Sequence, residues 1–331
     1  MQLEEFLAPR ILIVSGKGGV GKTTISAALA LVAARAGRKV CVAEVDRKGS
    51  LAKLLGGGAV GYEPEELSPG VWGMGIVPED ALAEYLDVQY HMKRISRLFT
   101  NTHFVDYITT AAPGLKDILV LGKIWYLEQG PQRGGTKHDF DTIIVDAPAA
   151  GHMLTFLAAP MGLANMVSVG PLRRQSDWLV EMLRDPKRTR VHLVTLAEEM
   201  PVSETVETFN ALQSHIGIDA GTVFANAIYS ELLTPEEKQE LDELKSQKRV
   251  DELGIEAKSV GLTLDDEDLE ALVGYARFLG ARRDIQSMHL GKLRKAIEDP
   301  VVEMPFLFSA GLALPDIETL ADSIETAVES L

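Results

Sequence analysis

Apolar residues in this chain gather into brief continuous runs, separated by longer stretches with helical spacing. Ile11-Leu12-Ile13-Val14, Arg38 to Val45, Phe140 to Asp146, Arg190 to Leu196 and Thr222 to Asn226 are such runs, rich in valine and isoleucine. Runs of this length predict strands buried on both faces, as in a mostly parallel sheet. Ile25 to Ala33 reads as a helix of small residues. Leu82, Leu86, Ile95, Leu98, Val105, Ile108, Leu115, Ile118 and Leu121 recur at roughly helical spacing from Glu79 to Lys123, with a break at Pro113-Gly114. Ser230 to Asp299 is charged and helical; with no sustained heptad, a hairpin packed on the core is expected rather than a coiled coil. Leu320, Ile324 and Val328 share one face of a final helix from Leu312 to Leu331. The alternation predicts an α/β fold, a doubly wound and mostly parallel sheet flanked by helices. The whole chain, 1–331, reads as a single domain, with helical elements at about 79–127 and 230–299 forming a subdomain.

The first run leads into Gly16-Lys17-Gly18-Gly19-Val20-Gly21-Lys22-Thr23-Thr24, which fits the phosphate-loop pattern G-x-x-x-x-G-K-[ST] without a mismatch. A buried strand, a glycine turn and a helix N-terminus in that order form an anion cradle. Glycines let backbone N–H groups converge on phosphate oxygens, and the helix dipole adds partial positive charge. Lys22 would reach the β- and γ-phosphates and the Thr23 hydroxyl would hold Mg²⁺. Two further strands end in carboxylates that face this loop: Asp46 after the second, Asp146 after Phe140 to Val145. Ligands of doubly wound sheets bind at that edge. Asp146 is placed as in a Walker B strand, binding Mg²⁺ through a water or pairing with Thr23.

Lys17 goes beyond the general pattern. Taken alone it could be a solvated loop lysine, but the full loop resembles the deviant Walker A motif of a class of dimeric ATPases. That class includes the arsenite-pump ATPase ArsA, the tail-anchored-protein targeting ATPases, the partition and division-site ATPases, and the nitrogenase iron protein. The run Ala147-Pro148-Ala149-Ala150-Gly151-His152-Met153-Leu154-Thr155 closely resembles switch II of the ArsA/tail-anchored-targeting family, which the partition ATPases and the iron protein lack. Thr195 to Thr205 is similar to a further segment of that family, and the resemblance spans nearly the whole chain.

The resemblance implies roles residue by residue. Lys17 would cross a dimer interface to the partner's nucleotide and neutralise charge on the transferred phosphoryl group, as an arginine finger does. Asp46 would open the first switch and align the attacking water; a surface-turn aspartate is the alternative. Pro148, Gly151 and His152 would form the second switch, Gly151 sensing the γ-phosphate through its backbone. His152 is read as a switch element rather than a base, beside the alternative of a packed loop histidine. Asn226 matches an adenine-reading asparagine whose amide offers donor and acceptor together, although asparagine also suits a turn. Met304-Pro305-Phe306-Leu307-Phe308 resembles the closing strand, with Pro305 on the adenine side. The targeting ATPases bind clients with helices near 79–127, where Met74, Met92, Phe99, Phe104, Tyr107 and Ile108 could line an apolar groove. Periodicity alone favours core for these residues. One departure stands out. Asp46 to Lys53 lacks the family's switch histidine and its second acidic residue, which keeps a nucleotide-dependent scaffold with little turnover in view.

Composition narrows the field. The formal net charge of the 331 residues is −15, which disfavours non-specific nucleic-acid binding and docking on anionic lipid. No apolar run approaches a membrane span and the acidic first residues suit neither a secretory nor a transit peptide. A cytoplasmic protein without stable membrane insertion is expected. Cys41 is the one cysteine, expected buried in a strand. It excludes a four-thiolate zinc site within the chain, and no zinc is expected. ArsA carries two ATPase halves, whereas one phosphate loop stands here, so a second half would come from another copy or a paralogous subunit. The favoured reading is a Mg²⁺- and ATP-dependent dimeric ATPase handling a hydrophobic helical client. A partition or positioning ATPase is the alternative.

Overall fold

A computed structural model describes residues 2–45, 49–90, 114–243 and 247–331. Eight strands form one sheet in the order β3-β4-β2-β5-β1-β6-β7-β8. They are β1 (Ile11–Gly16), β2 (Val40–Val45), β3 (Glu65–Ser68), β4 (Val71–Ile76), β5 (Thr142–Ala149), β6 (Thr189–Leu196), β7 (Ala220–Ile228) and β8 (Val301–Pro305). Every neighbouring pair is parallel except β3 with β4 at the edge.

Successive residues of a strand point to opposite faces, and two cores follow from that. Ile11 and Ile13 of β1 join Cys41, Ala43, Met74, Ile143 and Val145 on one face. Leu12 and Val14 join Val40, Val42, Ile144, Val194 and Phe224 on the other. Burial on both sides explains why the strands read as unbroken apolar runs. Helix α1 (Leu3–Phe6) precedes β1. The second face is covered by α2 (Lys22–Arg35) and the C-terminal helix, in which Ile317, Leu320, Ala321, Ile324 and Val328 are buried. Ala27, Ala28, Ala30 and Ala33 are buried in α2, and these small residues let it lie close to the sheet. A short α3 (Ser50–Leu54) follows β2.

The first face is covered by α5 (Leu115–Gln129), α6 (Ala150–Met166), α7 (Pro171–Arg184) and α8 (Glu199–Ala211). Helix α4 (Pro78–Tyr90) leads towards residues 91–113, which lie outside the described segments. After β7 come α9 (Pro235–Glu243), α10 (Gln247–Ser259) and the long α11 (Asp266–Ala296); α12 (Leu314–Glu329) closes the chain. The acidic run before α11 is a capping box: Asp265 Oδ1 accepts from the Asp268 N–H at 2.8 Å, and Asp268 Oδ2 accepts from the Asp265 N–H at 3.3 Å. Carboxylates there also complement the helix dipole.

The structure departs from the sequence reading in three places. Strands β3 and β4 were not foreseen, because Gly73 and Gly75 interrupt β4 and β3 is a short, partly exposed edge. Met74 therefore lies in a strand of the sheet, β4, fully buried, and does not line a groove. The closing strand β8 runs Val301–Pro305, so it ends where the stretch named for it, Met304 to Phe308, has barely begun.

Candidate functional site

The site sits at the C-terminal edge of β1, where the strand order turns back and its neighbours are β5 and β6. Two glycines are fixed by contact. A Cβ on Gly16 would stand 2.0 Å from the Val194 carbonyl oxygen of β6, so only glycine lets the loop leave the sheet there. Gly21, at φ 96°, caps α2 in a left-handed conformation, and a Cβ on it would meet Asn226 Nδ2 at 2.1 Å. The loop from Gly16 to Gly21, with Gly18, Gly19 and Val20 between, thus delivers Lys22, Thr23 and Thr24 to the first turn of α2. The N–H groups of that turn have no partner within the helix.

Lys22 folds back over the loop, its Nζ donating to the Lys17 carbonyl at 3.1 Å. Thr23 Oγ1 donates to Asp146 Oδ2 at 2.7 Å, and Ser26 Oγ lies 3.4 Å from Asp146 Oδ1. The pairing of Thr23 with Asp146 named from the sequence is therefore present. Burial pushes the Asp146 carboxyl up; its bond from Thr23 opposes this, and the nearby Glu44 charge adds to it. An oxygen-only set of one hydroxyl and one carboxylate fits a hard cation such as Mg²⁺, which usually takes one or two carboxylates plus substrate phosphates. Thr23 and Asp146 would hold it.

Glu44 is a site residue that the sequence reading passed over. It is 1% exposed at the end of β2, and its carboxylate accepts from the Gly49 N–H at 2.9 Å and the Ser50 hydroxyl at 3.3 Å. It thereby ties the end of β2 to the start of α3. Asp46 itself lies outside the described residues. The signal was a carboxylate at a strand position otherwise filled by apolar residues.

Lys17 engages a different partner from Lys22. Its Nζ forms an ion pair with Glu204 Oε1 on α8 at 2.6 Å, both side chains about one-third exposed. Near the end of β5, Ser15 Oγ donates to the Pro148 carbonyl at 2.7 Å, tying that end to β1. Gly151 and His152 are exposed in the first turn of α6, so His152 is not a packed loop residue.

At the other end of the loop, Asn226 Nδ2 donates to the Val20 carbonyl at 2.9 Å, which leaves its Oδ1 as the acceptor for a ligand. The next residue, Ala227, has φ 57°, the one positive φ at a non-glycine among the described residues. Gln286 of α11 braces it: Nε2 donates to the Ala227 carbonyl at 2.8 Å and Oε1 accepts from the Tyr229 N–H at 2.9 Å. Strained backbone held by a buried amide is a mark of a functional turn. Pro305 pairs with Ile228 across β7 and β8, and the following Phe306 stacks on Tyr229 with centroids 4.6 Å apart. This aromatic pair beside Pro305 was invisible in the sequence, because its members come from distant segments. Of the groove residues named above, Met92, Phe99, Phe104, Tyr107 and Ile108 lie outside the described residues. No described helix is long and apolar enough to cross a membrane.

Comparison with known proteins agrees with this geometry. Residues 9–180 and 173–260 match the family model described as anion-transporting ATPase. The chain is 31% identical to ATPase BagA of Mycobacterium tuberculosis over 325 residues, 95% of this chain and 92% of that protein. It is 26% identical to the arsenical pump-driving ATPase of Acidiphilium multivorum over 250 residues, 67% of this chain and 40% of the other. It is 27% identical to ATPase ARSA1 of Chlamydomonas reinhardtii over 202 residues, 53% of this chain and 26% of the other.

Proposed function

The chain belongs to the anion-transporting ATPase family and is an ATP hydrolase, and from that premise we propose that it works as a Mg²⁺-dependent dimer whose ATP cycle handles a hydrophobic client in the cytoplasm. The observation that carries the reading is the hydroxyl–carboxylate pair of Thr23 and Asp146 at 2.7 Å, at the mouth of a loop whose two lysines engage different partners. Lys22 stays over its own loop, placed for the β- and γ-phosphates. Lys17 is turned out to α8, where breaking one partly exposed ion pair would release it towards a second subunit's nucleotide. Mg²⁺ would supply charge neutralisation between the phosphates. Loop N–H groups bind the phosphates, Asn226 Oδ1 and the Tyr229–Phe306 pair bound the adenine, and Asp46 aligns the water. Loss of the γ-phosphate would free the segment from Pro148 to His152, and α6 carries that change to the helices on the first face.

The cargo we favour is a protein with a single apolar helix, such as a tail-anchored membrane protein. Met166 and Val169, 84% and 82% exposed between α6 and α7, offer apolar surface next to the switch helix. A client trap tests this. Asp46→Asn protein, loaded with ATP and purified from its native cytosol, should retain proteins with one C-terminal apolar helix. Recovery of a paralogous ATPase alone would remove the client and leave the ATPase.

A further inference from the structure

The helices on the first face line a partly open apolar cavity that no step above uses. It has a volume of about 160 Å³ and lies between α4, α5, α6 and α7. Trp125 and Trp178 form part of its wall as a parallel stack, centroids 5.2 Å apart and planes 4° from parallel. Leu119, Leu163 and Leu179 supply further apolar lining.

Its polar groups are few and specific. Among the described residues, the two charged ones that line it are Lys123 and Glu84, and they neutralise each other at 2.7 Å. Lys123 Nζ also lies over the Tyr62 ring, 4.3 Å from its centroid, and Tyr62 donates to Glu84 at 2.7 Å. Tyr85 donates to Gln175 at 2.9 Å. Ser176 differs from all of these. It is 1% exposed, it lines the cavity, and its hydroxyl has no hydrogen-bond partner. A buried hydroxyl without a partner is costly, so one beside an apolar space points to what the space is for.

We propose that this cavity is a binding site for a small, neutral, chiefly hydrocarbon molecule with one hydrogen-bonding head group, held by Ser176. Size sets the class: a cavity of roughly 150 Å³ lined by apolar side chains accepts benzene. A protein helix about 10 Å across exceeds such a space, so the ligand this pocket takes is a small molecule. Charge sets it too, because a carboxylate or ammonium would meet an ion pair already satisfied. The inference does not rest on the ATPase reading.

Gly122 provides the test. It lines the cavity, and a Cβ added there meets nothing within 4 Å. Full-length protein is titrated with 1-hexanol and, separately, with benzene, following tryptophan fluorescence and calorimetry. Saturable binding of both is expected. Gly122→Leu should weaken both at least tenfold while Mg²⁺·ATP affinity is unchanged, which shows that the variant is folded; Gly122→Ala should fall between. Ser176→Ala should weaken hexanol about fivefold, the worth of one hydrogen bond, and leave benzene unaltered. Non-saturable binding, or equal affinity in Gly122→Leu, would overturn the site. Equal losses for both probes in Ser176→Ala would overturn the head-group assignment.

Discussion

The phosphate-loop edge of the sheet and the helical layer around the cavity use the same material in opposite ways. At the loop edge nearly every residue is dictated by a backbone or charge requirement. A side chain at Gly16 is excluded by a carbonyl and one at Gly21 by Asn226, while Thr23 is set by the carboxylate that its hydroxyl meets. Around the cavity the requirement is chiefly for apolar bulk; the partners in the Lys123–Glu84 ion pair and in the Tyr85–Gln175 bond satisfy each other, and the Ser176 hydroxyl is left over. A substitution at the loop edge should therefore act on chemistry, and one in the helical layer on ligand binding or stability.

The largest expected effect is at Lys22. Lys22→Ala should lower ATP affinity by more than about 100-fold, since it removes a charge from the phosphates in a site that water leaves on binding. Unchanged affinity by calorimetry would remove the difference between the two regions. Next comes acid. His192, 2% exposed on β6 between the rings of Phe6 and Phe224, has its pKa pushed down to about 4 by burial, against a smaller pull from the Thr222 backbone. The folded chain thus keeps this imidazole neutral while the unfolded chain takes a proton below about pH 6.5. Its contribution is complete above that pH and is lost as pH falls to about 4, amounting to at most about 3 kcal/mol. Denaturant melts of His192→Leu should show a shallower acid loss than the parent; parallel curves would assign the acid sensitivity elsewhere.

Two smaller effects sharpen the contrast. Gly122→Leu, in the helical layer, should raise stability by about 1 kcal/mol, because it fills space and removes a mid-helix glycine. A loss of stability would mean that the cavity walls do not stand as described. Glu204→Gln, at the loop edge, should alter stability by less than about 1 kcal/mol, since the ion pair with Lys17 is partly exposed. A larger loss by thermal melting would make that pair a structural bolt rather than a resting place.

What could be read in the sequence follows the same division. The buried strands, α2, the loop and the partners Thr23 and Asp146 were legible, because a glycine turn, a hydroxyl and a carboxylate at those positions have few other uses. The last helix was legible by pattern, whereas the closing strand came from the resemblance alone, at Met304 to Phe308, and lies at Val301–Pro305. Strands β3 and β4 were hidden by glycines and a short edge, and Met74 was misplaced with them. Glu204, Gln286 and the Tyr229–Phe306 pair act through partners far away in sequence, and no local pattern reveals such contacts; Glu44, whose partners Gly49 and Ser50 are close in sequence, was marked only by a carboxylate inside an apolar strand. The cavity was hidden for a related reason: helical periodicity reports which face is apolar, not whether the facing side chains fill the space.

The central claim is that this chain carries half of a catalytic site, with Lys17 serving the nucleotide of a second subunit. Mixing two inactive variants tests it most directly. Lys17→Ala should bind ATP normally without turning it over, and Lys22→Ala should bind none. Combined, one subunit supplies a competent loop and the other supplies Lys17, so steady-state hydrolysis should return to a substantial fraction of the parent's rate. A mixture that assembles and stays inactive, or a Lys17→Ala protein that hydrolyses ATP at the parent's rate alone, would contradict a lysine acting across the interface.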